Sequence, residues 1–451
     1  MNDSARQATR IDDIQGRLDP WLLAVVLALS SLGLVMVGSS SISQHPDPFH
    51  YLTRHLVFLA GGLVLAVWAT RIELRTVERY NQLMLLACFV LLLLVFVPGL
   101  GVSVKGAHRW INVGVSNFQV VEAVKVLFII WLASYLVRFR DEVNATWIAM
   151  LKPLVVVAAL VGLLLLQPDF GSSSLLLAIT AGLLVLGGVN MPRMFLPVLI
   201  GLPALAFIAV LEPYRMRRLT SFMDPWADPF NSGYQLTNAL MAAGRGEWLG
   251  VGLGSSIQKL SYLPEAHTDF ILAVIAEELG FVGVCAIIAL YAVLVGRAFW
   301  IGLQCVEMRR HFSAYLAFGI ALWIGLQSFV SIGVNLGLLP TKGLTLPLIS
   351  SGGSSVLMTC AAMGLLLRVS YELERAKRQM ARLRGDAARE DVHAETASIA
   401  GGRPHHVAGP TSASAPNCPA AAPAFARKRA DSGRGTSRLQ QRIEPTLGGM
   451  A

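Results

Sequence analysis

His267, Thr268 and Asp269 stand in the stretch YLPEAHTDFILAVIAEELG, directly before a long apolar run. Two kinds of chemistry fit a carboxylate in that place. Asp is a favoured helix-capping residue and Pro264 halts regular structure ahead of it, so Thr268 or Asp269 is expected to cap a helix beginning near Phe270. A carboxylate at the edge of a membrane cavity can also take a proton as a general base, given a suitable pKa.

Three other polar groups sit among apolar residues, where polar side chains are costly and mark paired or functional positions. In KGAHRWINVGVSNFQVVEAVK, residues 105–125, Glu122 and Lys125 are three apart and share a helical face. An internal ion pair of this kind is more often structural than catalytic. In QPDFGSS, residues 167–173, Pro168 and Gly171 indicate a tight turn, and Asp169 is expected to cap the next helix. In PTKGLTLPLISSGGSS, residues 340–355, prolines and glycines break the backbone between apolar residues. Irregular backbone survives at membrane depth only where protein or a watery cavity satisfies it, so Lys342 is expected to face such a cavity or the outer interface. Between about 212 and 268 lie Arg215, Arg217, Arg218, Arg245 and Lys259, which are either solvated surface charge or a site for an anion.

These groups must be held by membrane helices. Of the 451 residues, 54% are hydrophobic and 14% charged, against about 25% charged in soluble domains. Apolar runs at about 21–37, 56–70, 82–98, 119–137, 153–166, 172–189, 194–211, 270–300, 313–339 and 353–369 read as ten spans. The fold class expected is an all-α integral membrane protein with about ten transmembrane helices and a large extracytoplasmic loop, about 212–268, between the seventh and eighth. Arg71, Arg75, Arg79, Arg138, Arg140, Lys152, Arg193, Arg297, Arg309 and Arg310 fall in alternate connections, which places those loops and both termini in the cytoplasm. Residues 1–20 are a polar cytoplasmic segment rather than a cleavable signal peptide. Residues 21–370 form the membrane domain. Residues 371–451 form a charged tail, helical at first and disordered from about 395. The cysteines lie in or beside spans or in that tail, so no disulfide framework is expected. The net charge of +9 is spread over span ends and the tail, which argues against nucleic acid. There is no Walker A loop, dinucleotide glycine loop or HExxH, and the histidines show no metal-ligand spacing.

Together GAHRWI, QPDFGS, YRMRRLTSFMDPWADPFNSGYQL, YLPEAHTDFILAVIAEELG and PTKGLTLPLISSGGSS resemble the SEDS family (shape, elongation, division and sporulation) over about 20–370. These are ten-span bacterial membrane proteins that polymerise peptidoglycan glycan strands from lipid II. The likeness is strongest to the division branch, on RRLTSFMDPWADPFNSGYQLTNAL, GVGLGSSIQKLSYLPEAHTDF and PTKGLTLPL. FQVVE stands where the family usually has FQPSE, keeping Gln119 and Glu122 but removing a proline, and Ser351 stands where an aromatic residue is common.

The resemblance implies glycosyl transfer at the outer face of the inner membrane, at the division septum. The strand on undecaprenyl pyrophosphate would be the donor and the 4-hydroxyl of the GlcNAc of lipid II the acceptor. The family's essential aspartate falls on Asp269, as general base. Arg215 and Arg218 would meet the diphosphate, with Lys125 and Lys342 as further cations. Trp110, beside Arg109, would pack on a sugar face or the isoprenoid, or anchor at the interface. Glu122, His267, Thr268 and Ser354 are further expected substrate contacts, and Gln119, Gln167, Asp169, Pro264 and Glu265 are expected to be structural or to line the cavity. No cofactor is required, and a divalent cation at the diphosphate is the one open addition. The partner implied is a single-span class B penicillin-binding protein, a transpeptidase, with other divisome proteins. Two readings stay open beside polymerisation, a lipid II flippase and a non-catalytic divisome scaffold; the gathering of Asp169, Asp269 and Lys342 on the outer side suits the polymerase better than a two-sided path.

Overall fold

A segment in lipid has to satisfy its backbone hydrogen bonds internally, so apolar runs of this length should be helices. All ten are helical. The computed structural model describes residues 15–42, 46–104, 106–114, 116–260 and 262–400. The tail expected beyond 400 lies outside them. Met1–Arg389 form one compact unit, which holds the membrane helices, and Glu390–Ala451 form a second.

The chain begins with α1 (Pro20–Ser41), α2 (His50–Arg71), the short α3 (Leu74–Arg79) and α4 (Asn81–Leu94). After a small sheet come α5 (Val120–Arg138), α6 (Arg140–Ala145), α7 (Trp147–Leu166), α8 (Phe170–Leu186) and α9 (Met191–Leu211). Helices α10 (Pro213–Met223) and α11 (Tyr234–Arg245) precede α12 (Ile271–Glu307), α13 (His311–Asn335) and α14 (Gly353–Ala400). Among the described residues, eight helices are long and apolar enough to cross a membrane. The other two apolar helices, α4 and α8, have 14 and 17 residues. At 1.5 Å per residue they reach about 21 and 26 Å, short of a ~30 Å hydrocarbon core.

Helices α5 and α13 form the centre. Almost every side chain of α5 is buried, and α13 packs against α5, α8 and α12. At the other extreme α9 leaves Phe195, Leu199, Ile200 and Phe207 exposed, and α2 leaves Val57, Val64 and Trp68 exposed. Apolar faces of that size mark a lipid-facing surface when they lie on span-length helices.

Between the third and fourth apolar runs the chain forms a three-stranded antiparallel sheet of β1 (Gly101–Val104), β2 (Ala107–Asn112) and β3 (Asn117–Gln119). The sheet satisfies backbone groups that a bare loop would leave to water, so the fold is mostly rather than wholly helical. At the other end of the chain, residues 395–400, expected in the disordered tail, still belong to α14. HAETASIA favours helix, and the first strong breakers are Gly401, Gly402 and Pro404.

Helix α12 is broken at Gly280, whose φ of 67° and ψ of −165° no helix accommodates. A Cβ there would overlap the backbone of Leu249 and Gly250. The backbone groups freed by the break bond to that same segment: Phe281 N–H donates to Glu247 O at 2.9 Å and Val282 N–H to Trp248 O at 3.1 Å. In return Val251 N–H donates to Glu277 O at 2.9 Å and Gly252 N–H to Glu278 O at 3.1 Å. The loop between α11 and α12 is thereby fastened to the helix that Asp269 precedes.

Candidate active site

A cavity of about 1270 Å³ opens among the polar groups that the sequence singles out. Asp269, His267, Thr268 and Glu265 reach it from the turn before α12, Lys342 and Ser354 from the segment between α13 and α14 and the start of α14, Arg215 and Arg218 from α10. Arg109 and Trp110 come from β2, Gln119 from the end of β3, and Asp169 from the turn between α7 and α8. Trp110 and Gln119 are register partners across the sheet, which brings them to the cavity side by side.

Two of the cations are arranged around one aromatic ring. Arg215 lies 5.3 Å and Lys342 5.1 Å from the centroid of Phe170, within the range of a cation–π attraction. Arg215 also donates to Ile208 O at 2.8 Å, and Arg218 to Thr341 O at 3.1 Å, beside Lys342. Arg109 donates to Gln167 O at 3.1 Å and to Pro168 O, with its guanidinium 3.9 Å from Asp169 Oδ1. Asp169 caps α8 as expected, accepting from Ser172 N–H at 3.2 Å and Ser172 O–H at 2.8 Å. Arg109 is thus pinned to the turn that Asp169 closes. Burial lowers the Lys342 pKa below the ordinary lysine value, because the ammonium loses hydration against the cavity wall.

Asp269 faces the glycine next to Lys342. A Cβ on Gly343 would lie 3.2 Å from Asp269 Oδ2, tighter than most such contacts, so the missing side chain keeps the carboxylate against the loop. The expected cap is corrected by one residue: α12 begins at Ile271 and its N-cap position is held by Phe270. The amide of Ala273 is taken instead by Asn335 of α13, at 3.1 Å, whose side-chain amide also donates to Asp269 O at 2.9 Å. A long-range cap from a packed helix replaces the local one because Asn335, 1% exposed, must itself be satisfied. His267 is buried, lies against Tyr51 with ring centroids 4.3 Å apart and planes tilted by 42°, and has its pKa lowered by desolvation and, to a lesser extent, by Arg54, against an opposing effect of Glu265. Thr268 Oγ1 donates to Glu265 Oε2 at 2.9 Å.

Some of the expected residues lie elsewhere. Glu122 and Lys125 pair at 2.9 Å inside the bundle, away from the cavity lining. Lys125, 0% exposed, also donates to Gln327 Oε1 at 2.7 Å and lies 4.8 Å from the Trp323 ring. Gln327 in turn donates to Thr345 O at 2.8 Å, so the pair supports the broken segment from behind. Gln167 is buried and donates to Leu92 O at 3.0 Å, tying α4 to the α7–α8 turn. Pro264 is exposed, outside the lining.

Sequence reasoning passed over the wall supplied by α2, where Tyr51, Arg54, His55 and Phe58 line the cavity. Their signal was present, since Arg54 and His55 are polar residues at the very edge of the 56–70 run. It also passed over Glu277 and Glu278, both fully buried in α12. Arg245 reaches Glu277 at 2.6 Å and Lys259 reaches Glu278 at 2.8 Å. The adjacent pair of carboxylates inside an apolar run was the signal available. Among the described residues, no group of three or more His, Cys, Asp and Glu is arranged to hold a metal ion.

A cavity that sets a carboxylate against a lysine-bearing loop, with Arg54, Arg109, Arg215 and Arg218 also in its lining, is suited to activating a hydroxyl while an anionic group departs. The family model FTSW_RODA_SPOVE, described as cell cycle protein, matches residues 20–375. A relative from Xanthomonas oryzae pv. oryzae, named "Probable peptidoglycan glycosyltransferase FtsW", is 66% identical over 475 residues, covering 100% of this chain and 94% of the relative. One of the same name from Halorhodospira halophila is 51% identical over 364 residues, 80% of this chain and 92% of the relative. Among solved structures, a chain from a study of polymerization and crosslinking by a peptidoglycan synthase complex superposes with a TM-score of 0.65 at 32% identity, covering 79% of this chain and 98% of that one. The Thermus thermophilus rod shape determining protein RodA superposes with a TM-score of 0.59 at 31% identity, covering 78% and 96%.

Proposed function

Because the chain belongs to the FtsW/RodA/SpoVE family of cell cycle proteins, we propose that it acts as a multi-pass peptidoglycan glycosyltransferase in which Asp269 is the general base. The observation that carries this reading is the position of Asp269, in one cavity with Arg109, Arg215, Arg218 and Lys342 and directly against the Gly343 backbone. The substrates are the growing strand on undecaprenyl pyrophosphate and an incoming lipid II. Asp269 takes the proton of the GlcNAc 4-hydroxyl as that oxygen attacks the anomeric carbon of the strand. The new bond joins that carbon to the acceptor oxygen. The bond to the diphosphate breaks, and the departing charge is met by the cations.

A general base supplies about 10²- to 10⁴-fold in rate, so purified Asp269→Asn protein should lose at least that much polymerisation of labelled lipid II while remaining folded. Wild-type rates from that variant would remove Asp269 from the role. Addition of EDTA tests whether a divalent cation is needed beside the protein cations. The positive connections support an inner-membrane orientation with both termini cytoplasmic, and the division-branch likeness supports work at the septum with a class B penicillin-binding protein and other divisome proteins. Strand synthesis on a gel, with and without such a transpeptidase, separates this from the flippase and scaffold readings.

A further inference from the structure

The cavity has two chemically different walls. Arg215 and Lys342 gather on the side of Phe170, while the side made by α2 and the turn before α12 is mainly aromatic and hydrogen-bonding. The cation of this second wall, Arg54, is engaged already: it donates to Ser116 Oγ at 2.9 Å and lies 5.9 Å from the Phe58 centroid. His55 stands on the same wall, 2% exposed, and both of its ring nitrogens are without a hydrogen-bond partner among the described residues. His267, in tilted ring contact with Tyr51, has its Nδ1 in the same condition. Buried polar atoms in native proteins are nearly always satisfied, so these three imidazole nitrogens beside one cavity call for a partner beyond the described residues, and a bound ligand can supply it. Ser354, 7% exposed, adds a hydroxyl to the same cavity.

We infer that His55, with His267 and Tyr51, forms a saccharide subsite that receives the sugar of the acceptor, separate from the cationic wall that receives diphosphate. This rests on the glycosyltransferase reading above. Imidazole offers one donor and one acceptor when neutral, which matches hydroxyl and acetamido groups. A dianionic diphosphate calls for guanidinium and ammonium groups, and those cluster on the other side. Burial lowers the His267 pKa and so favours its neutral ring. Asp269 lies two residues from His267 in the chain and against Gly343, next to Lys342, so it stands between the two walls, where the acceptor hydroxyl has to meet the leaving group.

The test is equilibrium binding to detergent-solubilised full-length protein, with lipid II and undecaprenyl pyrophosphate as the two probes. His55→Phe keeps ring shape but removes both nitrogens. It should weaken lipid II binding about five- to tenfold, the scale of one neutral hydrogen bond, and leave undecaprenyl pyrophosphate binding within about twofold. His55→Gln restores a donor and an acceptor and should recover most of the lost lipid II affinity. Equal losses for both probes, or no loss for either, would overturn the subsite. If His55→Phe does not fold, the same two probes against His267→Phe decide between the same outcomes. Binding is read without turnover, so a protein that discriminates the sugar through His55 yet makes no strands would sink the polymerase reading and leave the subsite standing.

Discussion

Lys342 shows how a single side chain can set a pH profile. Its ammonium is deprived of water, so its pKa lies below that of an ordinary lysine. The sign follows directly: as pH rises, Lys342 loses its charge before a solvated lysine would, and the cationic wall weakens. The kcat/KM for lipid II should therefore fall on the alkaline side earlier than a normal lysine predicts. Lys342→Arg keeps a charge at all accessible pH and should move that alkaline fall upward, whatever it does to the maximum rate. Superimposable profiles from about pH 6 to about pH 10 would show that Lys342 does not carry the charge that matters. Legibility at this scale divided by type of signal. Asp269, Arg215, Arg218 and Lys342 stood out as charged residues beside apolar runs or in the long outer loop, each with a structural or surface reading open beside the functional one, and Arg109 entered only through the family resemblance. Glu122 and Lys125 gave the same signal but turned into the bundle, where they brace Thr345 through Gln327, because a three-residue spacing fixes a shared face without fixing what that face meets. His55 was lost because one histidine at the edge of a span carries no periodicity.

The elements that position Asp269 are short and braced at both ends. From Ile271 to the break at Gly280, the first part of α12 is held by Asn335 at its start and by the Glu277 and Glu278 pairs at its finish. Glu278 takes Lys259 at 2.8 Å and the hydroxyl of Ser39 in α1 at 2.7 Å. Lys259→Met leaves that carboxylate buried with its cation gone. Breaking a buried pair in this way costs about 3–5 kcal/mol, whereas replacing both charges with apolar residues of similar volume is often neutral. Thermal unfolding in detergent should therefore show a large drop for Lys259→Met and substantial recovery in the Lys259→Met, Glu278→Leu double variant. A double variant as unstable as the single one would mean that the pair is not the source of the cost. Helices were legible as apolar runs because lipid allows little else, but the break in α12 was not. Gly280 sits in an apolar run that reads as one continuous span, and the partner that makes the break tolerable, the 247–252 backbone, lies in another part of the chain. The small sheet was missed for a similar reason: its strands have 4, 6 and 3 residues, too few for an alternation to declare itself.

At the scale of the molecule, everything that the proposed reaction uses lies in one unit. The cavity is built wholly from residues between 51 and 354, the family match ends at 375, and the first compact unit ends at Arg389. The segment Glu390–Ala451 forms a unit of its own. Its sequence is strongly biased, and HHVAGPTSASAPNCPAAAPAFARKRADSGRGTSR offers little apolar surface from which to build a core. The solved relatives, covered over 98% and 96% of their own length, match only 79% and 78% of this chain, so a body with this fold needs no counterpart of the remaining fifth. A chain ending at Arg389 should then polymerise lipid II within about twofold of the full-length protein, at equal amounts and with the same transpeptidase present, a difference of less than about 0.5 kcal/mol in the barrier. A larger loss that a separately added 390–451 segment restores would make that segment part of the working enzyme. A larger loss together with lowered thermal stability would mean instead that α14 needs its full length, through Ala400, to hold the start of the helix where Ser354 meets the cavity.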